Sequence, residues 1–156
     1  MDDDLSDRLA AVLGSVEVSS LTQLSGGASR ETWRFQADGV PLILQRQRPG
    51  DEREIAVEIA ALRAAHAAGV PTANIVTASV DPAALDAPFM ILEHVDGETT
   101  PRKILRDDAF AAARRALPTQ LARALVVIHS IDPESIPGIA DVDQVDRYRE
   151  VLDTVG

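Results

Sequence analysis

The chain has 156 residues, a formal net charge of −10 and no cysteine. The acidic balance disfavours nucleic-acid binding, which depends on Lys and Arg side chains that neutralise phosphates, and the lack of Cys excludes disulfides and thiolate metal sites. No apolar run approaches the roughly 18 residues of a membrane span. Because the start at Met1 is acidic, unlike a signal peptide, we expect a cytoplasmic protein without a membrane partner.

The first part of the chain carries one helix signal followed by strand signals. A helix is predicted over residues 2–13, where acidic residues lead and leucines recur on one face. Asp38-Gly39 is a strong β-hairpin signal between two of the strands that follow. Gly26-Gly27 forms an earlier turn. The predicted strands cover residues 16–24, 32–37 and 40–46.

The clearest helix is predicted over residues 51–68, bounded by acidic residues at its start and by Gly69 at its end. Its core-facing residues follow helical spacing and are Ile55, Ile59 and Leu62. Strands over 75–80 and 89–95 come next, and Asp96-Gly97 ends the second of them.

Helix signals alone follow Gly97. Helices are predicted over 102–117 and 119–131, with Pro118 as a break or as the first residue of the second helix, and a weaker helix over 142–155. Leu121, Leu125 and Ile128 form the expected buried face of the second of these helices. Strands followed by a run of helices indicate an α+β fold or two lobes, with a boundary near Asp96-Gly97.

Segments in this order resemble the aminoglycoside phosphotransferase (APH)-like family, which has the protein-kinase-like fold. The segments are Leu24–Ser29 (LSGGAS), 42–50 (LILQRQRPG), 58–71 (EIAALRAAHAAGVP) and 87–97 (APFMILEHVDG), with residues 121–133 resembling the first long helix beyond the hinge. The resemblance covers nearly the whole chain. It implies an α+β fold, with a kinase-like N-terminal lobe over 1–96 that holds a five-stranded antiparallel sheet and one helix. Residues 97–156 would be the helical start of an incomplete C-terminal lobe.

In this family the glycine turn lies over the phosphates of a bound nucleotide. Gly26 and Gly27 would let backbone N–H groups approach the anion closely, and Ser29 would add a hydroxyl donor. Without the resemblance, the same residues would be a plain hairpin turn.

The resemblance also implies a basic residue on the third strand that contacts the α- and β-phosphates. Gln45 occupies that position here, and Arg46 follows it. Since adjacent strand residues point to opposite faces, only one of them can reach the nucleotide. Glu58 matches the helix glutamate that orients the cation, and Arg46 is its candidate partner. The alternative for Arg46 and Glu58 is that both are solvated charges.

Glu93, His94 and Val95 match the hinge, whose backbone would read the edge of adenine or guanine. Candidate apolar walls of the base pocket, which would equally serve as core residues, are Leu44, Met90 and Leu92. His66 and His129 stand alone on helices and are interpreted as structural, and no acidic or histidine cluster has metal-ligand spacing.

The chemistry of the family requires a His-Gly-Asp-x4-Asn loop and a later Asp for magnesium, and neither pattern occurs in this sequence. We therefore name no catalytic and no metal-binding residue. The resemblance implies a nucleotide-binding part of a phosphotransferase. With magnesium, the whole enzyme would move the γ-phosphoryl of ATP or GTP to a hydroxyl of an unidentified small molecule, and this chain alone would have no turnover.

Two other interpretations stay open. The first is a non-catalytic, pseudokinase-like module that binds a nucleotide weakly or forms a homodimer through uncovered helices. The second is an unrelated α+β domain with a chance Gly26-Gly27 turn, which predicts no effect of nucleotide.

Overall fold

The computed structural model describes residues 2–14, 17–24, 30–50, 55–139 and 144–155. The strands are β1 Val18–Leu24, β2 Arg30–Ala37, β3 Val40–Gln47, β4 Ile75–Ser79 and β5 Phe89–Glu93. The helices are α1 Asp2–Leu13, α2 Ile55–Ala67, α3 Pro101–Arg106, α4 Ala111–His129 and α5 Gln144–Val155, with short 3-10 turns at Asp108–Phe110 and Pro133–Ser135. The predicted starts at residues 16, 51 and 142 lie outside the described residues.

The strands form one antiparallel sheet in the order β1-β2-β3-β5-β4, which confirms the predicted five-stranded α+β architecture. The predicted turn at Asp38-Gly39 is confirmed: both residues have positive φ, 49° and 80°, as a tight hairpin turn of matching twist requires. This turn sets the register of β2 against β3, in which Thr32 lies opposite Gln45 and Trp33 opposite Leu44.

The two faces of the sheet carry separate apolar clusters. On the side we call the α1 face, Leu5 and Leu9 of α1 pack on a buried set from the strands and the β4–β5 loop. That set comprises Phe35, Ala37, Leu42, Leu44, Leu85, Phe89 and Ile91. On the opposite side, the α2 face, Ile55 and Ile59 pack with Met90 and Leu92, and Leu62 is half-buried against them. The predicted core-facing side of α2 is therefore confirmed.

The predicted helix break at Pro118 is wrong, because α4 runs through Pro118 without interruption. The missing N–H of Pro118 leaves a carbonyl one turn earlier without its helical donor, and on an exposed helix water can supply that bond. The actual break lies at Asp107, whose extended backbone ends α3 and whose carboxylate accepts from Ala109 N–H at 2.9 Å.

The predicted burial of one face of α4 is also wrong for the part of the chain that the structure describes. Leu125 is 50% exposed, and Leu121 and Ile128 are exposed as well. Helical spacing correctly placed these side chains on one side, but no described element packs over them. Among the described residues, no helix is both long and apolar enough to cross a membrane.

The segment after α4 packs against α2 through a glycine. Ile136 is buried, and a Cβ at Gly138, which has φ +83°, would lie 2.7 Å from Cγ2 of Val57. We expect Gly138→Ala to lower the free energy of unfolding by about 2–4 kcal/mol, since it adds backbone strain to a steric overlap with a stiff β-branched side chain.

Urea unfolding of Gly138→Ala measures this loss, and Gly69→Ala is its matched control. Gly69 has a similar φ of +86°, but nothing lies within 4 Å of a Cβ added there. The control therefore reports backbone strain alone. Equal losses in the two variants would contradict the proposed overlap with Val57, whereas partial recovery in Gly138→Ala with Val57→Ala would support it.

Candidate functional site

Of the predicted site residues that the structure describes, Gln45 and Glu58 lie on the α2 face, Arg46 lies on the α1 face, and the hinge residues 93–95 lie at the end of β5. Gly26, Gly27 and Ser29 lie outside the described residues, in the connection from Leu24 at the end of β1 to Arg30 at the start of β2. Their proposed contact with phosphates stays a prediction.

Gln45 and Arg46 lie on opposite faces of the sheet. Gln45 is on the α2 face, where its neighbours across the strands are Thr32 and Met90. Arg46 points to the α1 face, where its Nη2 lies 2.6 Å from Glu31 Oε2 and its Nη1 donates to the Leu85 carbonyl at 3.2 Å. Arg46 thereby fastens the β4–β5 loop to the sheet.

The predicted pairing of Arg46 with Glu58 is therefore wrong, because α2 covers the other face of the sheet. The partner of Glu58 is Arg30, whose Nη2 and Nε donate to Glu58 Oε2 at 3.0 and 3.2 Å. Arg30 is only 9% exposed. Arg30 is not among the residues predicted to pair with Glu58. The hairpin at Asp38-Gly39 nevertheless predicts it, because the register places residue 30 beside residue 47, on the same face as Gln45.

The three predicted walls of a base pocket do not lie together. Met90 and Leu92 are buried on the α2 face, but Leu44 belongs to the cluster on the α1 face. The prediction is wrong for Leu44, because side chains alternate along β3 and Leu44 points to the face opposite that of its neighbours Ile43 and Gln45. The apolar residue of β3 that does lie beside Met90 and Leu92 is Ile43, which the sequence did not single out. Ile43 lies opposite Leu92 and is half-buried against the α2-face cluster.

The predicted hinge follows β5 directly. The Glu93 N–H donates to the Asn74 carbonyl at 3.0 Å, and the His94 N–H contacts the Pro41 carbonyl at 3.4 Å. Val95 is exposed, and its N–H makes no backbone hydrogen bond to another described residue. The Val95 N–H is therefore the one of these three that can be offered to a ligand, whereas the N–H groups of Glu93 and His94 bond within the fold.

Glu98, just beyond the hinge, organises the start of α3. The hydroxyl and the N–H of Thr100, followed by the Lys103 ammonium, lower the pKa of Glu98 to about 2 from an ordinary value of 4.5. A pKa lowered by folding means that these bonds stabilise the native state fully above pH 4.5 and lose that effect as pH falls toward 2. We expect Glu98→Gln to unfold at a lower temperature than the parent at neutral pH.

Thermal unfolding between pH 7 and pH 2 measures this effect. The gap between the melting temperatures of the parent and Glu98→Gln should narrow as pH falls from about 4.5 to about 2. A gap that stays constant over this range would show that the carboxylate charge of Glu98 has no role in folding stability.

Metal ligands are not grouped in the described ranges, where no set of three or more His, Asp or Glu side chains could hold an ion. His66 and His129 are exposed on their helices. In the described ranges, the α2 face offers the apolar side chains of its cluster, the Gln45 amide and the Arg30–Glu58 pair.

Comparisons with known proteins show the family to which this fold belongs. The family model described as the phosphotransferase enzyme family, APH, matches residues 20–150. A search of curated proteins finds no match. Among solved structures, a protein of Ralstonia eutropha JMP134 that bears the provisional name aminoglycoside phosphotransferase is similar to 92% of this chain, with 22% identity and a TM-score of 0.68.

Two structures of the aminoglycoside phosphotransferase APH(4)-Ia share the fold at 18% identity. A thermostable mutant in ternary complex with ADP and hygromycin B matches 84% of this chain with a TM-score of 0.56, and another structure of the enzyme matches 85% with 0.57. The chain covers 46% of the Ralstonia protein and 40% of each APH(4)-Ia structure, so it spans less than half the length of the proteins it matches. With its kinase-like sheet and helix α2, this chain belongs to the APH phosphotransferase enzyme family.

Proposed function

We propose that this chain is the nucleotide-binding part of a phosphotransferase that uses ATP or GTP. The observation that supports the proposal is the α2 face, where the end of β5, a polar position at Gln45 and the Arg30–Glu58 pair follow one another along the sheet. Residues 1–96 would form the N-terminal lobe and residues 97–156 the helical start of the next lobe. The ternary complex of APH(4)-Ia with ADP and hygromycin B supports a nucleotide and a small-molecule acceptor as the substrate classes.

The chain's own residues would divide the work of binding. Ile43 and Leu92 would contact the faces of the base, and the Glu93 carbonyl and the Val95 N–H would bond its edge. The amides of Gly26 and Gly27, with the Ser29 hydroxyl, would cover the phosphates. Magnesium, when bound with the nucleotide, would neutralise phosphate charge, but the described residues include no cluster to hold it.

We propose that this chain by itself binds nucleotide without transferring the γ-phosphoryl. The sequence contains no His-Gly-Asp-x4-Asn motif to position an acceptor hydroxyl. Release of phosphate or ADP from ATP by the purified 156-residue chain, lost on substitution of Glu58, would overturn this part of the proposal.

Nucleotide binding is tested by the thermal shift of the chain with Mg-ATP and Mg-GTP. A ligand that binds only the folded state raises its stability by about 2.7 kcal/mol at 100 times its dissociation constant. We expect a positive shift for at least one nucleotide, a smaller shift for Gln45→Ala and an unchanged shift for Arg46→Ala, because Arg46 faces away from α2. The shift is compared with each variant's own ligand-free melting temperature, since Arg46→Ala also removes contacts of the fold. No shift at millimolar nucleotide would contradict the proposal.

A second candidate is a non-catalytic module that associates with another copy of itself. The exposed apolar side of α4 favours it, since Leu121, Leu125 and Ile128 share one side of the helix and are all exposed. We expect Leu125→Gln to weaken such a dimer in sedimentation experiments, with Arg115→Gln, at an exposed charge of the same helix, as the control. A parent chain that sediments as a monomer at tens of micromolar would rule this candidate out.

A further inference from the structure

We propose that Arg30 on β2, held by Glu58, supplies the cation that contacts the nucleotide phosphates in this chain. The inference rests on the proposed nucleotide site and assigns one of its groups. It moves the cation from β3 to the neighbouring strand, at a position that the sequence analysis did not select.

The α2 face of strand β3 carries no cationic side chain. Alternation places Ile43, Gln45 and Gln47 on this face, and none of them is charged. Gln47 already serves the fold, because its Oε1 accepts from the Ile55 N–H at 3.3 Å at the start of α2. Arg46 lies on the opposite face, bound to Glu31. A phosphate beside Gln45 would therefore receive only a neutral donor from β3.

Arg30 places a cation on the same face of the neighbouring strand, β2. It lies opposite Gln47, one residue pair along the same face from Thr32 and Gln45. It is also the first residue of β2 and comes three residues after Gly27 in the sequence. A guanidinium at this position belongs to the strand that leaves the turn predicted to cover the phosphates.

The two members of the Arg30–Glu58 pair differ in their exposure to solvent. Arg30 is almost fully buried, whereas the Glu58 side chain is 42% exposed. Two donors of Arg30 reach the same oxygen of Glu58, which fixes the plane of the guanidinium. Burial of the Arg30 guanidinium carries a desolvation cost, and apolar residues of similar volume often stabilise such packing equally well. A planar guanidinium that is held in one orientation suits bidentate recognition of phosphate.

Arg30 and Glu58 therefore have different roles. Arg30 would contact the phosphate oxygens, and Glu58 is a positioning residue that acts through Arg30. Neither side chain forms or breaks a covalent bond, and their contribution to the reaction is electrostatic.

The test compares a nucleotide with its nucleoside, since only the nucleotide carries phosphates. Calorimetric titrations of the 156-residue chain with MgADP and adenosine, and in parallel with MgGDP and guanosine, give the affinity ratio of each pair. The variants are Arg30→Met, Arg30→Lys and the exchange of Arg30→Met with Gln45→Arg. Arg46→Met is the matched control, because it removes a similar Arg–Glu pair from the opposite face of the sheet.

We expect Arg30→Met to weaken nucleotide binding about 10- to 100-fold and to change nucleoside binding less than about twofold. Arg46→Met should leave the ratio unchanged. Arg30→Lys should lose part of the nucleotide affinity, because it keeps the charge and loses the planar fork. The exchange variant should recover nucleotide affinity, since it returns a cation to the same face through β3.

Other outcomes overturn the inference in distinguishable ways. Unchanged nucleotide affinity in Arg30→Met would exclude the phosphate contact while leaving the proposed function intact. Equal loss of nucleotide and nucleoside would show that Arg30 only fastens α2. A parent chain that binds neither would reject the proposed function and the inference with it. If circular dichroism shows Arg30→Met to be unfolded, the ratio in Arg30→Lys decides, and an unchanged ratio there excludes the contact.

Discussion

Replacing Leu44 by Ala is expected to lower the free energy of unfolding by about 2–5 kcal/mol while leaving nucleotide affinity unchanged. Leu44 is 0% exposed and packs on the α1 face with Phe35 and Ile91. Truncation would leave a cavity that strands on both sides of β3 can fill only in part. Because the cavity lies on the opposite side of the sheet from Leu92, a base bound on the α2 face would not sense it.

Urea unfolding and calorimetric titration together measure the two halves of this prediction. Leu24→Ala is the matched control for stability, since Leu24 is 41% exposed at the end of β1 and should lose less than about 1 kcal/mol. Ile43→Ala is the matched control for binding, because it truncates the α2 face instead. A loss of nucleotide affinity in Leu44→Ala that equals the loss in Ile43→Ala would contradict the assignment of the two faces.

Replacing Glu58 by Gln is expected to lower the free energy of unfolding by about 1–3 kcal/mol. The change removes the carboxylate that accepts from both Nη2 and Nε of Arg30, a residue that is nearly fully buried. The exposure of the Glu58 side chain keeps the expected loss below that of a fully buried pair.

A double-mutant cycle measures the interaction itself. Glu58→Gln, Arg30→Met and the double variant are unfolded in urea at pH 7 and at two salt concentrations. The double variant should be more stable than the sum of the single losses predicts, because the two residues contact each other. Additive losses would mean that the pair contributes nothing beyond each residue's separate contacts.

Much of the fold could be predicted because local signals and periodicity agreed. The spacing of Ile55 and Ile59 predicted the buried side of α2, and the Asp38-Gly39 turn predicted the pairing of β2 with β3. These features depend on the residues that form them, so short stretches of sequence suffice. Bounds of strands differ from the predicted ones by a few residues, since strand ends depend on their neighbours in the sheet.

The parts that failed depend on information that short stretches do not hold. Periodicity placed Leu125 on one side of α4 but could not show whether another element covers that side. Pro118 predicted a break because its cost inside a helix is usually about 3 kcal/mol, but an exposed helix can hydrate the carbonyl that it frees. The pairing of Glu58 was assigned to the wrong arginine because the face of Arg46 was left open, although the register of the hairpin determines it.

The hairpin at Asp38-Gly39 also determines which side chains of β3 face each side of the sheet. Side chains alternate along β3 with a period of two, so a shift of the β2–β3 pairing by a single residue would turn the whole strand over. Arg46 would then face α2, and Leu42 and Leu44 would leave the cluster around α1. The two residues of this turn thus decide which amino acids of β3 reach the α2 face, because they hold the two strands in this register.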